Sequence, residues 1–600
     1  MPDQDGKEIA QHNVYSTAST IIDTSSTEDF QKGSRTPESR TTHSSSSTHY
    51  SIRSEPLPPL EVACTLNPLT NSERPGHTYT KTIASLATSG SRIPSFEVDF
   101  GVNDPEDPRN WPMWYKGLTI SAVSFSSWVV ITYSTSYTIS MPGMMEEFHQ
   151  TNETFATLGM TFYLAGLSVG SLFLAPLSEI YGRRPVYIGS LIFFTLMVLP
   201  TALATSLSEV LAVRFFGALA GAAMLSNSPG TVADISTEQY RALAFSIWSV
   251  GPTAGPITGP LIGGFVTQYL GWRWTNWLIL IMGGVAWIMC TCIKESYAPA
   301  LLKKKAAKLR KETGDDRWWC RYDQKLSPFE ILKVNLSRPF VISFTEPICW
   351  FWNGYIAVIY GILYLCFVAY PLIYGSHRGW SDSFIGLSFI GIGIGNLLAI
   401  ITEPLARRII NTHKKDPSTG RVAPEACVSI ICAASLLCPI GQLWFSWTSL
   451  PITIHWIWPI LAGIPFGAGN CLVFIYASNY LAGSYGVYSA SALAGNAMLR
   501  FMVGGTLPLA GPSMYEAMSP QWAGTLLGLV QVAMIPIPFV FYKWGNRIRA
   551  RSPLIRQMRE DMEKSQKGGA SAKRHEEMSG NEDVEKEAAA QTVVVVEEGK

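Results

Sequence analysis

L-A-P-L-S-E-I-Y-G-R-R-P, residues 174–185, leaves one long apolar run and enters another, with a carboxylate four residues before an arginine pair. Apolar helices joined by so short a turn cross a bilayer and come straight back. The charged turn then lies at the membrane surface, and Arg183 and Arg184 mark the cytosolic side. The pattern returns in the second half as I-I-T-E-P-L-A-R-R, residues 400–408, where Glu403 precedes Arg407 and Arg408. A polytopic chain with a charged turn repeated in both halves reads as a transporter.

Working outward, charged residues make up 15% of the chain, low for a soluble protein, and they gather at the ends and in the middle. Between them lie about twelve apolar segments of roughly 20 residues, the length that crosses hydrocarbon as a helix. They fall near 117–140, 155–178, 186–204, 209–232, 242–268, 273–293, 340–371, 383–405, 425–446, 453–477, 487–510 and 521–543. The expected fold is an all-α membrane protein of two pseudo-symmetric six-helix bundles, 105–293 and 340–552. A basic cytosolic loop, 294–339, joins them and holds Lys303, Lys304, Lys305, Arg310, Lys311 and Arg317. Residues 1–104 and 553–600 read as disordered cytosolic tails, too polar to offset the entropy of ordering. The first span, behind that leader, is expected to act as an uncleaved anchor. Lys and Arg crowd the loops on the side of both termini, and the opposite loops hold Arg273 and Arg378. The ten cysteines show no C-x-x-C pair, and most lie inside apolar spans, as small buried hydrophobes do.

Four groups of residues carry candidate chemistry. The charged turns, Glu179 with Arg183 and Arg184 and Glu403 with Arg407 and Arg408, are expected to form a cytosolic gate that latches the halves and releases as they rock. The fifth span carries Gly251, Gly255, Gly259, Gly263 and Gly264 with Pro252, Pro256 and Pro260. Its Gly-x-x-x-Gly ladder admits a neighbouring helix closely, and its prolines remove backbone donors, so it reads as a hinge or close-packed seam. Arg214, Glu346 and Arg500 are charges inside spans, where charge is costly and functional. Glu346 is a candidate proton site and, equally, a partner for Arg500 in an ion pair. Tyr133, Tyr137, Trp352, Tyr355 and Asn470 are candidates to line a substrate cavity.

These features resemble the major facilitator superfamily, and within it the fungal twelve-span drug:proton antiporters, over residues 104–552. D-P-E-D-P-R-N-W (Asp104–Trp111) is similar to that group's signature ahead of the first span. L-S-E-I-Y-G-R-R-P is similar to the superfamily's first loop motif, with Glu179 where many members have Asp. Gly255–Gly264 resembles the antiporter motif of the fifth helix, and Glu295–Ala306 the start of the central loop. Two motifs depart from the pattern. R-F-x-Q-G appears as Arg214-Phe215-Phe216-Gly217-Ala218, and P-E-A-R-L as Pro424-Glu425-Ala426-Cys427-Val428. The resemblance implies two bundles rocking about a central site, driven by inward proton flow, with Arg214 tied to proton coupling.

The expected activity is proton-coupled export of small organic compounds, such as drugs, toxins or secondary metabolites, across a fungal plasma membrane. An importer or a polyamine carrier of the same fold is the alternative. No nucleotide-binding loop of the G-x-x-x-x-G-K-[ST] kind occurs, and the chain is expected to be no enzyme. The partners implied are the substrate, protons and the lipid bilayer; no cofactor, metal or nucleic acid is expected, and the chain is expected to be a monomer.

Overall fold

The structure is a computed structural model. It describes residues 96–558 and 560, apart from 102, 324–327 and 414–421. The Ser/Thr-rich leader before residue 96 and the tail after 560 lie outside the described residues. Among the described residues, ten helices or helix pairs are long and apolar enough to cross a membrane.

The first bundle comprises α1 (Met113–Glu147), α2 (Glu153–Tyr181), α3 (Arg183–Leu203), α4 (Leu207–Ile235), α5 (Glu238–Leu270) and α6 (Trp272–Thr291). A loop helix, α7 (Ala298–Thr313), follows. The second bundle runs through α8 (Pro328–Thr345), α9 (Pro347–Tyr370), α10 (Asp382–Ser388), α11 (Ile390–Ile401), α12 (Glu403–Asn411), α13 (Glu425–Thr448), α14 (Ile457–Tyr485), α15 (Ser489–Thr506), α16 (Gly511–Ala517), α17 (Pro520–Met534) and α18 (Pro536–Arg551). Here α8 with α9, α10 with α11 and α12, α15 with α16, and α17 with α18 are each one broken rod. Proline stands at the first or second position of α9, α12, α16, α17 and α18, where its missing N–H costs nothing.

About twelve spans were expected and ten meet the apolar criterion. The other two positions are α5 and α15, whose Gly, Pro, Ser and Thr content and, in α15, Arg500 lower their apolarity. Both pack between other helices rather than against lipid alone. α1 lies along α5, α2 along α4, and α9 along α15. The two bundles meet where α2 packs on α15 and α5 packs on α10 and α11.

α5 keeps its helical course through three prolines, and at the first of them α1 supplies what the proline removes. Pro252 lacks the N–H that would bond the carbonyl of Trp248, and Ser124 Oγ donates to that carbonyl instead, at 2.9 Å. The same hydroxyl accepts the N–H of Gly251 at 3.2 Å. The helices are in backbone contact: a Cβ at Gly251 would lie 2.1 Å from the Ser124 carbonyl, and one at Gly259 would lie 2.0 Å from Thr135 Oγ1. Gly255 and Gly263 face Ile131 and Ser136 of α1, whereas Gly264 faces the backbone of α10 across the seam.

Residues 97–100 and 104, counted with the leader, dock on the central loop. Glu97 bridges to Trp319, and Val98 packs with Leu302, Ala306 and Cys320 of the central loop. Lys305 pairs with Asp104 at 2.6 Å and Arg321 with Asp99 at 2.6 Å. All nine described cysteines are free; Cys292 is exposed, Cys427 is half-buried and the rest are buried.

Candidate functional site

One end of the molecule carries the α2–α3 turn, the central loop and residues 552–558; it is called the tail end below. Its charged turn is organised by residues on three other elements. Gly182, at φ +100°, makes the turn in a conformation that side chains rarely adopt. It also clears Glu295, whose carboxylate accepts the N–H groups of Arg183 and Arg184, each at 3.0 Å. A carboxylate at the start of α3 satisfies orphan donors and the helix dipole together. The buried Arg183 guanidinium reaches Asp234 of α4 at 3.5 Å, donates to Ser178 Oγ at 2.7 Å and lies 5.1 Å over the Tyr297 ring. Gly230 leaves the space it fills.

Glu179 was expected to close an ion pair with this arginine pair. The Arg183 ion pair is made with Asp234 of α4. Glu179 faces the second bundle, where Asn335 of α8 donates to it at 3.3 Å. Arg184 is turned outward to the Thr291 carbonyl. The second charged turn is simpler. Arg407 Nε donates to Glu403 at 2.9 Å within α12, a pair of the i,i+4 kind worth about 0.3–0.5 kcal/mol; Arg408 has no ion pair among the described residues. At the start of α13, Glu425 is held at 3.1 Å by Arg549 of α18.

Arg214 lies within α4, 1% exposed. It donates to the carbonyls of Gly159 (3.0 Å), Tyr133 (3.2 Å) and Ser134 (3.3 Å). Its guanidinium stacks 4.6, 4.3 and 4.8 Å from the ring centroids of Tyr133, Tyr137 and Tyr163. No carboxylate pairs with it among the described residues. Carbonyl dipoles and aromatic faces carry the charge, at about 0.5–2 kcal/mol per ring. Tyr133 and Tyr137, expected in a cavity wall, are therefore the walls of this cage, and Tyr137 also donates to the Ala156 carbonyl at 2.7 Å.

The second-bundle candidates separate in the same way. Trp352 packs on Tyr355, Tyr480 and Phe541, and Asn470 donates to the Phe466 carbonyl beside Cys438. Trp352 thus faces α14 and α18, and Tyr355 and Asn470 face α13, inside the second bundle. The aromatic residue of α9 that does face the first bundle is Tyr364, whose hydroxyl lies 3.4 Å from Ser134 Oγ and 3.2 Å from Tyr360. Arg500 sits against Tyr360, Phe474 and Phe501, 4.6–5.0 Å from each ring.

Glu346 does not pair with Arg500. It stands at the break between α8 and α9, one residue before Pro347, and accepts Ser552 Oγ (2.6 Å), Leu554 N–H (3.2 Å) and Tyr485 OH (3.4 Å). Pro347 was the available signal: a proline marks a helix start, so the glutamate before it is a helix cap and not a mid-span charge. Asp234, Glu295 and Asn335 had no such signal, since their partners are distant in sequence.

Hydrogen bonds cross the seam at every depth. Asn335 meets Glu179 at the tail end. Ser168 donates to Met498, Asn396 to Thr253 and Thr161 to Gly505 further in. Gln268 accepts the Ser383 N–H at the far end, where Gly264 and Gly386 allow backbone contact.

Known proteins place this arrangement. The Major Facilitator Superfamily pattern matches residues 123–499. The citrinin biosynthesis cluster MFS transporter mrr1 of Monascus ruber is 40% identical over 458 residues, 75% of this chain and 91% of the relative. Efflux pump FUB11 of Gibberella moniliformis is 36% identical, covering 77% of this chain and 78% of its own length. The multidrug transporter mdrA of Aspergillus fumigatus is 36% identical, with 77% and 76% covered. Among solved structures, the proton:xylose symporter XylE aligns with a TM-score of 0.53 at 14% identity, over 72% of this chain and 96% of that one, a likeness of fold. With its two bundles, its charged turn and these relatives, the chain belongs to the major facilitator superfamily, as a multi-pass membrane transporter and not an enzyme.

Proposed function

We propose that this chain is a proton-driven exporter of small organic compounds, drugs or secondary metabolites, working in a fungal plasma membrane with both termini in the cytosol. The observation that carries the reading is similarity to fungal efflux pumps and multidrug transporters along three quarters of the chain. The glycine-proline helix α5, set in backbone contact with α1 and α10, supports export by rocking about that seam.

The geometry supports the following roles. Arg214 and Arg500 lack carboxylate partners among the described residues, so each is a fixed positive charge beside the seam, able to bias protonation of a substrate or a neighbour. Proton coupling through Glu346 is a separate matter, since its carboxylate is bonded by the tail. The gate is made by Glu179, Arg183 and Arg184 in the first half and Glu403, Arg407 and Arg408 in the second. Separation of Asn335 from Glu179 opens the cytosolic side. Substrates are neutral or singly charged and apolar, and the transporter acts as a monomer.

The test is accumulation of a panel of labelled compounds in pump-depleted yeast expressing the chain, with and without a protonophore. Depletion of a compound that the protonophore abolishes is the expected result. Gain of a compound by expressing cells supports an importer instead. Export that persists with the protonophore and stops on ATP depletion overturns proton coupling.

A further inference from the structure

At the C-terminal end of α18 the sequence runs Arg549-Ala550-Arg551-Ser552-Pro553-Leu554-Ile555. Residues 553–558 form a further helical turn folded back against the second bundle. Ser552 caps it: its hydroxyl accepts the N–H of Ile555 at 3.2 Å and donates to Glu346 Oε2 at 2.6 Å. The other Glu346 oxygen accepts the N–H of Leu554 at 3.2 Å. Leu554, Ile555 and Met558 are buried at 3–7% exposure, while Pro553, Arg556 and Gln557 are exposed. Met558 reaches Gly486, at the turn after α14. A single buried carboxylate thus ties together the α8–α9 break, the end of α14 through Tyr485, and the returning tail.

We propose that Ser552 is a phosphorylation site and that a phosphate there releases this terminal turn from Glu346. The inference rests on the reading above that the tail is cytosolic. The flanking sequence has the chemistry that protein kinases bind: an arginine directly before the serine, a proline directly after it, and, three residues before, Arg549, which must leave Glu425 to be bound. The reaction is ordinary phosphoryl transfer from ATP. Ser552 Oγ attacks the γ-phosphorus, an O–P bond forms, the bond to ADP breaks, and the serine proton passes to the kinase's base. The product cannot occupy the docked site. A phosphoserine carries about −1.5 to −2 charge, and here it would lie within hydrogen-bond distance of a carboxylate 3% exposed, with the donor that joined them gone. Ser552 is itself 3% exposed, so a kinase reaches it only when the turn has peeled away. The modification therefore captures an opening that the protein already samples.

The decisive experiment is hydrogen exchange of residues 552–558 in the purified full chain. Ser552→Asp is expected to raise exchange at least tenfold above Ser552→Ala, which removes the hydroxyl without adding charge. In Ser552→Asp/Glu346→Gln the repulsion is gone, and protection returns toward the Ser552→Ala level. A second readout uses unmodified serine: with a purified arginine- or proline-directed kinase and ATP, Glu346→Gln is labelled several-fold faster than wild type, because docking is weakened. Equal exchange in Ser552→Asp and Ser552→Ala overturns the proposal, as does absence of phosphate on Ser552 in peptides from growing and drug-challenged host cells. Protease accessibility of the tail from outside intact cells would overturn both this and the cytosolic orientation, whereas loss of transport coupling alone would leave the exchange result standing.

Discussion

Arg214 shows how a membrane helix keeps a cation without a counter-ion among the described residues. A charge at the bilayer centre costs about 2.5–3.5 kcal/mol by insertion measurements, and three carbonyls with three tyrosine rings offset it. Only a planar guanidinium can bond in its plane and stack on its faces at once. Arg214→Lys keeps the charge and loses both. We expect export to fall about tenfold or more at unchanged surface expression, read as substrate retained in cells per copy of protein, a loss of the size carried by about 1.4 kcal/mol. Wild-type export from the lysine variant would reduce the cage to a structural role. The charge itself was legible in the sequence, since an arginine inside an apolar run stands out. Its tyrosines were legible only as aromatic residues, because which face of α1 meets α4 depends on packing that no spacing encodes. The pairing of Glu346 with Arg500 failed for a related reason: the glutamate's partner Ser552 lies about two hundred residues away, at the last residue of the expected second bundle.

Helices carry the next set of consequences. The glycine ladder of α5 is a contact surface at the scale of whole backbones. Gly251→Ala would press a methyl to 2.1 Å from the Ser124 carbonyl, and backbone cannot give way as a flexible side chain does. Overpacking of this kind costs about 1–3 kcal/mol, and the purified variant is expected to melt several degrees lower. Gly189→Ala on α3 has nothing within 4 Å and should leave the melting temperature unchanged. The order reversed would mean that α1 and α5 are not in contact. The central loop gives a pH dependence. The Lys305 ammonium beside Asp104 holds its carboxyl below the usual carboxylate range. A carboxylate lowered in the folded state adds stability above its unfolded pKa, and that contribution is lost as pH falls through the lowered value. The leader should thus stay docked on α7 through mildly acidic pH and loosen only below the ordinary range. Protease cutting near residues 99–104 follows this, and Asp104→Asn abolishes the dependence. The pair is only partly screened from solvent, so the effect is modest. Helix positions were readable from apolar runs of membrane length. The docked residues 97–100 were not, because their partners, Trp319 among them, come from a loop more than two hundred residues away.

For the whole molecule, the seam is the element that must part. Gly264 and Gly386 hold α5 and α10 in backbone contact at the far end. Gly264→Leu wedges that end apart, with transport lost. A cysteine at Ser383, 4% exposed in the closed seam, should then react with an impermeant maleimide applied outside cells, and should not react in the glycine background. Reaction in both backgrounds would mean that the far end is open at rest.

On the proposed rocking mechanism, tail-end and far-end contacts act as two doors in one corridor. Water or a stray ion crosses only when both stand open together. If each door is ajar about one time in a hundred, a population typical of minor states, coincidence falls to about one in ten thousand when the doors move independently, and lower still if opening one tightens the other. A bilayer crowded with such proteins would remain electrically quiet between turnovers. Any substitution that weakens a single door would first be noticed as a current, before any change in the compounds carried.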